Sequence, residues 1–280
     1  MAGSRCVTPQ VVARLTLSGR PTLYDIHMAE ISEEFVECWN AAGKHLEIQA
    51  QGPIQSWIRA HLNPPFLEHL SFRLGNQLFF IRIEDAEGTL QVPGTLEGLL
   101  RVADGCDGHA CLMPMKKSVE GWKPATRGWG LLDARTGKEI SPPQLISNEP
   151  VVMTDWELHD LAVQVVRQDI EKDGYKLMSW QSNPHVDPSI WFVGSEGPEW
   201  VVVRAARYPT KSTSLPSNIE AIANRCGGVS LKGSFAVVAL VNADDPFDPL
   251  AETNGNYFPI LRGHGVFVGY HGLTKIDLNR

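Results

Sequence analysis

The stretch WVVVRAARY (Trp200–Tyr208) decides the fold of this 280-residue chain. Its β-branched and aromatic side chains predict a central strand of a sheet. Residues 234–241 carry almost no polar side chain and predict a second strand that is buried on both faces. Between the two strands, residues 217–226 predict a short helix that ends at Gly227-Gly228.

The flanking residues extend this pattern in both directions. Residues 154–173 carry apolar side chains at helical spacing, which predicts an amphipathic helix. Two short apolar stretches, 175–180 and 189–193, predict strands, and residues 265–270 predict a later one. The resulting order is α-β-β-β-α-β. We therefore predict the α/β (α+β) class, in which helices pack on the faces of a sheet.

The first half of the chain repeats this pattern in the same order. Six short matches relate the two halves at spacings of 119 to 135 residues. Six matches in one order predict that both halves descend from a duplicated unit of about 125 residues. The alternative is a pair of unrelated α+β domains. The matched stretches are Leu23–His27 with Asp155–His159, Gly43 with Gly174, Phe72–Gly75 with Trp191–Gly194, Leu78–Arg82 with Trp200–Arg204, Gly105–Gly108 with Arg225–Gly228, and Arg127–Gly130 with Arg262–Gly265.

This alignment predicts two tandem repeat units, residues 1–143 and 150–280. The seam between them contains Pro142-Pro143, which favours an extended linker over a helix. The two units differ by extra segments at 52–63 and 244–256. The first unit is predicted to contain helices at Tyr24–Ala42 and Leu96–Ala103 and strands at His45–Ala50, His69–Leu74, Gln77–Glu84 and Ala110–Met115.

Composition disfavours several classes of function. The net charge is −7, and neither half contains a basic run that would neutralise phosphates, so nucleic acid is not the expected partner. No apolar run approaches the ~18 residues of a membrane span, and the N-terminus lacks the layout of a signal peptide. We therefore expect a soluble, acidic, cytoplasmic protein. The five scattered cysteines do not predict a disulfide framework.

Three stretches in the second half carry a family resemblance: DGYKL (173–177), VDPSI (186–190) and the strand WVVVRAARY. Together with the element order, residues 154–241 resemble the Mrr-type branch of the restriction-endonuclease-like, or PD-(D/E)xK, superfamily. In that branch the helix carries a Glu, the second strand an Asp, and the third strand ends in a pattern like Gln/Glu-x-Lys-Arg-Tyr. The resemblance implies a Mg²⁺ site in which carboxylates hold the metal and a lysine positions or activates water.

The resemblance maps the helix glutamate onto Glu157 and the strand aspartate onto Asp187, which makes these two residues the candidate metal ligands. The third-strand pair falls on Arg204 and Ala206, so a cation replaces the acidic ligand and the lysine side chain is missing. Alanine neither polarises water nor stabilises charge on a phosphorane, so we expect no cleavage by the usual route. If the chain is a nuclease, Glu157, Asp187 and Arg204 are its catalytic candidates.

The first unit departs from the motif in a similar way. The corresponding positions are Asp25, Glu68, Arg82 and Glu84; three of them are acidic, and again no lysine follows. Three interpretations of these carboxylates stay open for either unit. They are helix-start and loop residues without a ligand, a retained metal site, or a reshaped polar binding site.

Two further patterns admit a structural and a functional interpretation. Cys106, His109 and Cys111 offer three metal ligands, but structural zinc needs a second ligand pair, so a turn with two buried thiols is favoured. The glycine-rich stretches that begin at Arg127 and Arg262 match each other and predict strand entries that need glycine torsions. The functional alternative for these stretches is an arginine that contacts a ligand.

The incomplete set of carboxylates and lysine, together with the acidic charge, favours a non-catalytic protein that recognises another protein or a small ligand, without a cofactor. One alternative is a Mg²⁺-dependent nuclease that uses Glu157 and Asp187 with a displaced lysine, such as Lys176 or Lys211. Another is a client-binding protein, since type III secretion chaperones are small acidic proteins of similar element order. The former brings the two carboxylates together, and the latter exposes an apolar groove or patch. Function could also lie in the loop 244–256.

Overall fold

The chain adopts an α+β fold, with four α-helices and two six-stranded mixed sheets among the residues that the structure, a computed structural model, describes. The predicted fold class is confirmed. The chain divides into residues 29–151, the first unit, and residues 152–280, the second unit, with residues 1–28 grouped with the second unit. The described residues are 11–15 and 21–25, as backbone alone, and 32–52, 54, 69–247 and 257–277.

The first sheet is built around a parallel strand pair. Its order is β3-β4-β5-β7-β8, with β6 paired to β5, and α2 connects the parallel strands β4 and β5. A separate antiparallel pair, β1 and β2, precedes this unit. The elements are β1 (Val11–Leu15), β2 (Pro21–Asp25), α1 (Glu33–Gln49), β3 (Leu70–Leu74), β4 (Gln77–Asp85), α2 (Leu96–Gly105), β5 (His109–Ser118), β6 (Gly121–Pro124), β7 (Leu131–Asp133) and β8 (Glu139–Ile140).

The first helix begins later than predicted. Residues 24 and 25 belong to β2, and α1 begins at Glu33, where the Ser32 hydroxyl accepts the Phe35 N–H at 3.1 Å. Two glutamates in its first turn oppose the helix dipole. The predicted strand at 45–50 is also wrong, because its residues continue the apolar stripe of α1 down to the buried Leu46 and end the helix.

The second sheet has the predicted α-β-β-β-α-β order. Strands β9, β10 and β11 are successively antiparallel, and α4 connects β11 to the parallel strand β12. The sheet order is β13-β12-β11-β10-β9, with β14 also paired to β12. The elements are α3 (Asp155–Lys172), β9 (Lys176–Trp180), β10 (Ile190–Gly194), β11 (Gly197–Arg207), α4 (Ile219–Cys226), β12 (Gly233–Asn242), β13 (Val266–Tyr270) and β14 (Thr274–Lys275).

Each core lies between a helix and a sheet face. In the first unit, Trp39 of α1 packs in one buried cluster with Ile81 of β4. In the second, Val166 of α3 packs with Val203 of β11, while α4 covers Trp200 on the other face of that strand. Burial of each such side chain stabilises the fold by about 1.5–3 kcal/mol. Among the described residues, no helix combines the length and the apolar character needed to cross a bilayer.

The two units share the hairpin, the crossover helix and the parallel strand that follows it. In both, the hairpin runs antiparallel and the crossover leads to a parallel neighbour. Buried residues 120 positions apart match between the crossover helices. Val102 and Ala103 of α2 correspond to Ile222 and Ala223 of α4, and Cys106, which directly follows α2, corresponds to Cys226 at the end of α4. This common topology is what duplication of one ancestral unit would produce.

The predicted linker at the seam is instead folded onto the first unit. Pro142–Gln144 forms a short 3₁₀ helix, because proline is tolerated in the first turn, where its missing N–H has no partner to bond. Asn76 then holds the following residues: its Nδ2 donates to the Ser147 hydroxyl at 3.0 Å and to the Glu149 carbonyl at 2.8 Å. Residues 141–150 are therefore part of the first unit.

Candidate functional site

The centre of the candidate site lies at the carboxyl-terminal half of β11. Because Ile190 of β10 lies opposite Val201 of β11, the residues before β10 meet those after Val201. Asp187 and Arg204 come together in this way and form two hydrogen bonds, Nη1 to Oδ1 at 2.9 Å and Nη2 to Oδ2 at 2.6 Å. The aspartate is 9% exposed and the arginine 24%. The arginine that replaces the acidic motif residue thus binds the other acidic residue directly.

The lysine position of the motif is filled by Ala206, whose side chain is buried in the sheet. Lys176, one predicted substitute, pairs with Val193 at the end of β10 that is remote from Asp187. Because the strand holds the two residues at opposite ends, Lys176 does not replace the missing lysine. That part of the nuclease alternative is wrong.

Glu157 forms part of the start of α3. It makes a capping box with Thr154: the Thr154 hydroxyl accepts the Glu157 N–H at 3.3 Å, and Oε2 accepts the Thr154 N–H at 2.8 Å. Arg262 donates from Nε to Oε1 at 2.8 Å and from Nη2 to Oε2 at 3.0 Å. Both side chains are buried. The carboxylate therefore joins α3 to the turn before β13.

These contacts decide what the two candidate metal ligands can do. Mg²⁺ is held in proteins by carboxylate oxygens, so a cation already bound to a carboxylate competes with the metal. Asp187 and Glu157 each accept hydrogen bonds from one arginine on both carboxylate oxygens, so a guanidinium already neutralises each carboxylate. Within the described part of the chain, no group of three or more His, Cys, Asp or Glu side chains is arranged to hold a metal ion.

The cysteine-rich turn is also part of the core. Cys106 and Cys111 are both buried, and the His109 ring nitrogen Nε2 forms a hydrogen bond with the side-chain amide oxygen Oε1 of Gln77 at 3.0 Å. A buried thiol that stays protonated, such as that of Cys111, is a poor nucleophile and a poor metal ligand. Burial raises the pKa to about 12 for the thiols of Cys38, Cys111 and Cys226.

The first unit brings fewer of its predicted residues together. Arg82 of β4 donates Nε to the Glu84 Oε1 at 3.3 Å and Nη1 to the Pro93 carbonyl at 2.8 Å. Asp25 lies in β2 and not at a helix start, and the interpretation of it as the counterpart of the helix glutamate is wrong. Glu68 lies outside the described residues.

The two glycine turns have the predicted left-handed torsions, with φ of +63° at Gly128 and +82° at Gly263. Their arginines differ in environment. Arg127 is exposed, whereas Arg262 is 5% exposed and bound to Glu157. The second arginine therefore has a structural partner in place of a ligand.

Sequence reasoning missed an aromatic cluster formed by Tyr208, Phe247 and Phe267. The ring centroids of Tyr208 and Phe247 are 5.6 Å apart, and those of Phe247 and Phe267 are 6.4 Å apart. Phe247 is 47% exposed and Phe267 is 53% exposed, although both side chains are apolar. The Lys211 ammonium, the second predicted lysine substitute, lies 5.6 Å from the Tyr208 ring centroid in a cation–π contact.

A buried carboxylate fixes the backbone beside this cluster. Asp245 is 7% exposed and accepts the backbone N–H groups of Phe247 at 2.8 Å and Phe258 at 3.1 Å. It thereby ties together the two ends of the extra loop noted in the sequence, whose residues 248–256 lie outside the described part. The available signal was Phe267, which lies inside the uncharged predicted strand at 265–270, next to that loop.

Comparison with known proteins finds a match over the second unit. A family model described as a domain of unknown function, DUF8840, matches residues 156–276, from the first turn of α3 to the end of β14. No curated protein and no solved structure matches the chain. The second unit is therefore similar to this family, and the two arginine–carboxylate pairs and the aromatic cluster all fall within the matched region.

Proposed function

We propose that this chain is a non-catalytic binding protein that recognises another protein, and that its second unit is a nuclease-like domain whose metal ligands have been taken over by arginines. The observation that carries the proposal is the pair between Asp187 and Arg204, in which both carboxylate oxygens are bound. A degenerate active site of this kind keeps the fold and loses the metal.

Three chemical requirements of the nuclease mechanism are lost together. The acidic residue of the third strand is Arg204, which repels a divalent cation. The lysine position is Ala206, which supplies no amine for the attacking water. The helix carboxylate, Glu157, is used by the capping box and by Arg262. Restoring one of these groups alone would leave the other two absent.

Charge and exposed surface favour a protein partner. Residues 151–280 carry 15 acidic and 11 basic side chains, a net charge of −4, which opposes binding to phosphates. The exposed aromatic cluster offers the apolar contact surface that a nuclease-like site does not need. The predicted alternative of a secretion-chaperone-like, client-binding protein belongs to the same protein-binding class and would use such a surface.

The first test is calorimetric titration of the full chain with Mg²⁺ and Mn²⁺, combined with incubation with plasmid DNA, single-stranded DNA and RNA. We expect no saturable heat and no cleavage beyond that of the Asp187→Asn variant. Metal binding or cleavage that is lost in Asp187→Asn would overturn the non-catalytic assignment. A Glu196→Gln variant is the control, because Glu196 is an exposed carboxylate paired with Lys232 on the surface.

A second experiment tests the nuclease-like ancestry. The double variant Arg204→Glu/Ala206→Lys restores an acidic-x-Lys pair next to Asp187. We expect Mn²⁺ to raise the melting temperature of this variant and to leave that of the wild type unchanged. Arg204→Glu alone is the second variant, because Ala206 is buried and lysine there can prevent folding. No effect of Mn²⁺ on either folded variant would contradict the proposed ancestry.

A further inference from the structure

The outer edge of β13, which we name the open edge, ends the second sheet. Of the strands that the structure describes, none pairs with β13 on the side away from β12. β13 contains neither a charged residue nor a proline, the residues that commonly protect sheet edges from pairing with other chains. The other terminal strands of the two sheets each contain a charged residue: Lys176 in β9, Arg73 in β3 and Glu139 in β8.

The hydrogen-bonding pattern shows which groups the open edge presents. The Ala243 N–H donates to the Gly265 carbonyl at 3.0 Å, and these residues continue the antiparallel register of β12 and β13. Bonded and non-bonded pairs alternate along such a ladder. Val266, Val268 and Tyr270 therefore direct their N–H and C=O groups away from β12, toward a possible further strand.

The first unit shows that the fold accepts a strand at this position. β7 is antiparallel to β5, as β13 is antiparallel to β12, and both follow the parallel pair in the sheet order. The outer edge of β7 is covered by β8, with Leu131 opposite Ile140 and Leu132 opposite Glu139. The first unit thus contains the strand that covers this edge, and the described part of the second unit does not.

The aromatic cluster adds an apolar contact surface to the open edge. Phe267 belongs to β13 itself, and Phe247 stacks on it with both rings about half exposed. Phe247 has a φ of +54°, a strained torsion for a residue with a side chain, and the Asp245 carboxylate holds its N–H. The rings are thus held in place before any partner arrives.

Charge indicates the chemistry of the occupant. Residues 233–261 contain neither lysine nor arginine. They contain four acidic residues, Asp244, Asp245, Asp248 and Glu252. Of the acidic residues in this stretch that the structure describes, Asp244 is exposed and lies three positions before Phe247. Together with the net charge of −4 on residues 151–280, it favours cationic side chains on the partner, through charge attraction and through cation–π contacts with the exposed rings. A second copy of the chain would bring the same negative charge to the interface.

We propose that the open edge and the aromatic cluster form a docking site for an extended, basic segment of a partner protein, which adds to the sheet as a strand beside β13. Its apolar side chains pack on Phe247 and Phe267, and its lysine or arginine side chains complement Asp244 and the net negative charge of the second unit. This inference rests on the proposed function, protein recognition, and names the surface and the class of partner.

The probe is a set of fluorescein-labelled peptides of about ten residues, roughly the length of a long strand, in which Lys or Arg alternates with Val or Phe. One matched set carries Glu in place of the basic residues, and another carries Pro at alternate apolar positions. Fluorescence anisotropy with the full chain measures the affinity. We expect binding of the basic set alone, with weakening as salt concentration rises.

Two variants of Val268 separate strand addition from simple apolar contact. Val268→Pro removes an outward N–H and leaves the bonds to β12, whereas Val268→Thr keeps both the N–H and the shape of the side chain. We expect Val268→Pro to weaken binding by about tenfold or more and Val268→Thr by less than about twofold. Phe267→Ser should weaken binding as strongly as Val268→Pro. Leu231→Ser, at a residue 85% exposed elsewhere in the unit, should have no effect.

The outcomes are distinct. Equal binding by Val268→Pro and Val268→Thr, or equal binding of basic and acidic peptides, overturns the proposal. So does self-association of the wild type that Val268→Pro abolishes, because the occupant is then a second copy. Failure of every basic peptide to bind folded wild type also overturns it. None of these results touches the non-catalytic assignment, which fails only if the metal and cleavage assays are positive.

Discussion

The two units place an arginine at matching points of their central strands but give it different partners. Arg82 binds Glu84 of its own strand and the Pro93 carbonyl. Arg204 instead binds Asp187, which lies before the neighbouring strand, through both oxygens. The topology is common to both units, and the cross-strand pair belongs to the second alone among the described residues. Shared topology therefore preserves the position of a residue and leaves its chemistry free to change.

The two units also differ at the edges of their sheets. In the first unit, β8 pairs with β7 and covers its outer edge. In the second unit, no strand among the described residues covers the outer edge of β13, and exposed aromatic rings lie beside it. The match to the DUF8840 family model also covers the second unit. Under the proposed function, the second unit is the one that would carry recognition. The following predictions test how far the two units differ.

The largest expected effect concerns the arginines of the two glycine turns. Arg262→Ala leaves the buried Glu157 carboxylate without its cation and should lower the free energy of unfolding by about 3–5 kcal/mol. Arg127→Ala, at the exposed matching position, should change it by less than about 0.5 kcal/mol. Urea unfolding followed by circular dichroism measures both values. Equal losses for the two variants would refute the different roles assigned to these arginines.

Much of the second unit could be predicted from the sequence because its signals are local. Thr154 and Glu157 have the spacing of a capping box, and the apolar spacing after them follows one helix face. The predicted start of the first helix is wrong because Leu23–His27 resembles the first turn of α3, Asp155–His159, in residue type. The true start, at Ser32 with two glutamates after it, is an N-cap signal without the third-position glutamate of a capping box, and it lies 122 residues before Thr154.

The site could be predicted only in part, because its chemistry depends on pairing across the fold. The sequence singled out Asp187 and Arg204 through a family pattern, but the contact between them follows from the register of β10 and β11. The partnership of Glu157 with Arg262 joins residues 105 positions apart and has no local signal. The open edge is likewise a property of sheet order, which single strands do not reveal.

A smaller difference is expected at the glycines that precede or begin the parallel strands. Gly233 lies opposite Trp200, and a Cβ at this position would overlap the indole ring, which its Nε1 bond to the Ser230 carbonyl holds in place. In the first unit, a Cβ at Gly108 would meet the Phe80 ring at 2.8 Å. We expect Gly233→Ala to lower the free energy of unfolding by about 3 kcal/mol and Gly108→Ala by about 1–2 kcal/mol.

Chemical denaturation of both variants, with the wild type as reference, gives this ranking directly. A Gly228→Ala variant is the matched control, because a Cβ at Gly228 meets no neighbouring atom. If Gly108→Ala lowers the free energy of unfolding more than Gly233→Ala does, the crossover of the first unit is packed more tightly than that of the second.

The smallest expected effect depends on pH and on the number of buried thiols in each unit. Burial raises the pKa of Cys38 and Cys111 in the first unit, and of Cys226 in the second, from 9.0 to about 12. Above about pH 9 the unfolded state loses the thiol proton and the folded state keeps it, so the free energy of unfolding falls as pH rises. Between about pH 7.5 and pH 9.5 each thiol should contribute a loss of about 0.8 kcal/mol.

The variants compare slopes against pH and are insensitive to any cavity that the substitution creates. Because alanine does not titrate, the double variant Cys38→Ala/Cys111→Ala should reduce the alkaline loss of the free energy of unfolding by the contribution of two thiols. Cys226→Ala should reduce it by the contribution of one. Urea midpoints at both pH values measure the difference. If all variants lose stability with the wild-type slope, the alkaline sensitivity comes from lysine and tyrosine side chains, and the thiols of the two units ionise equally in the folded and unfolded states.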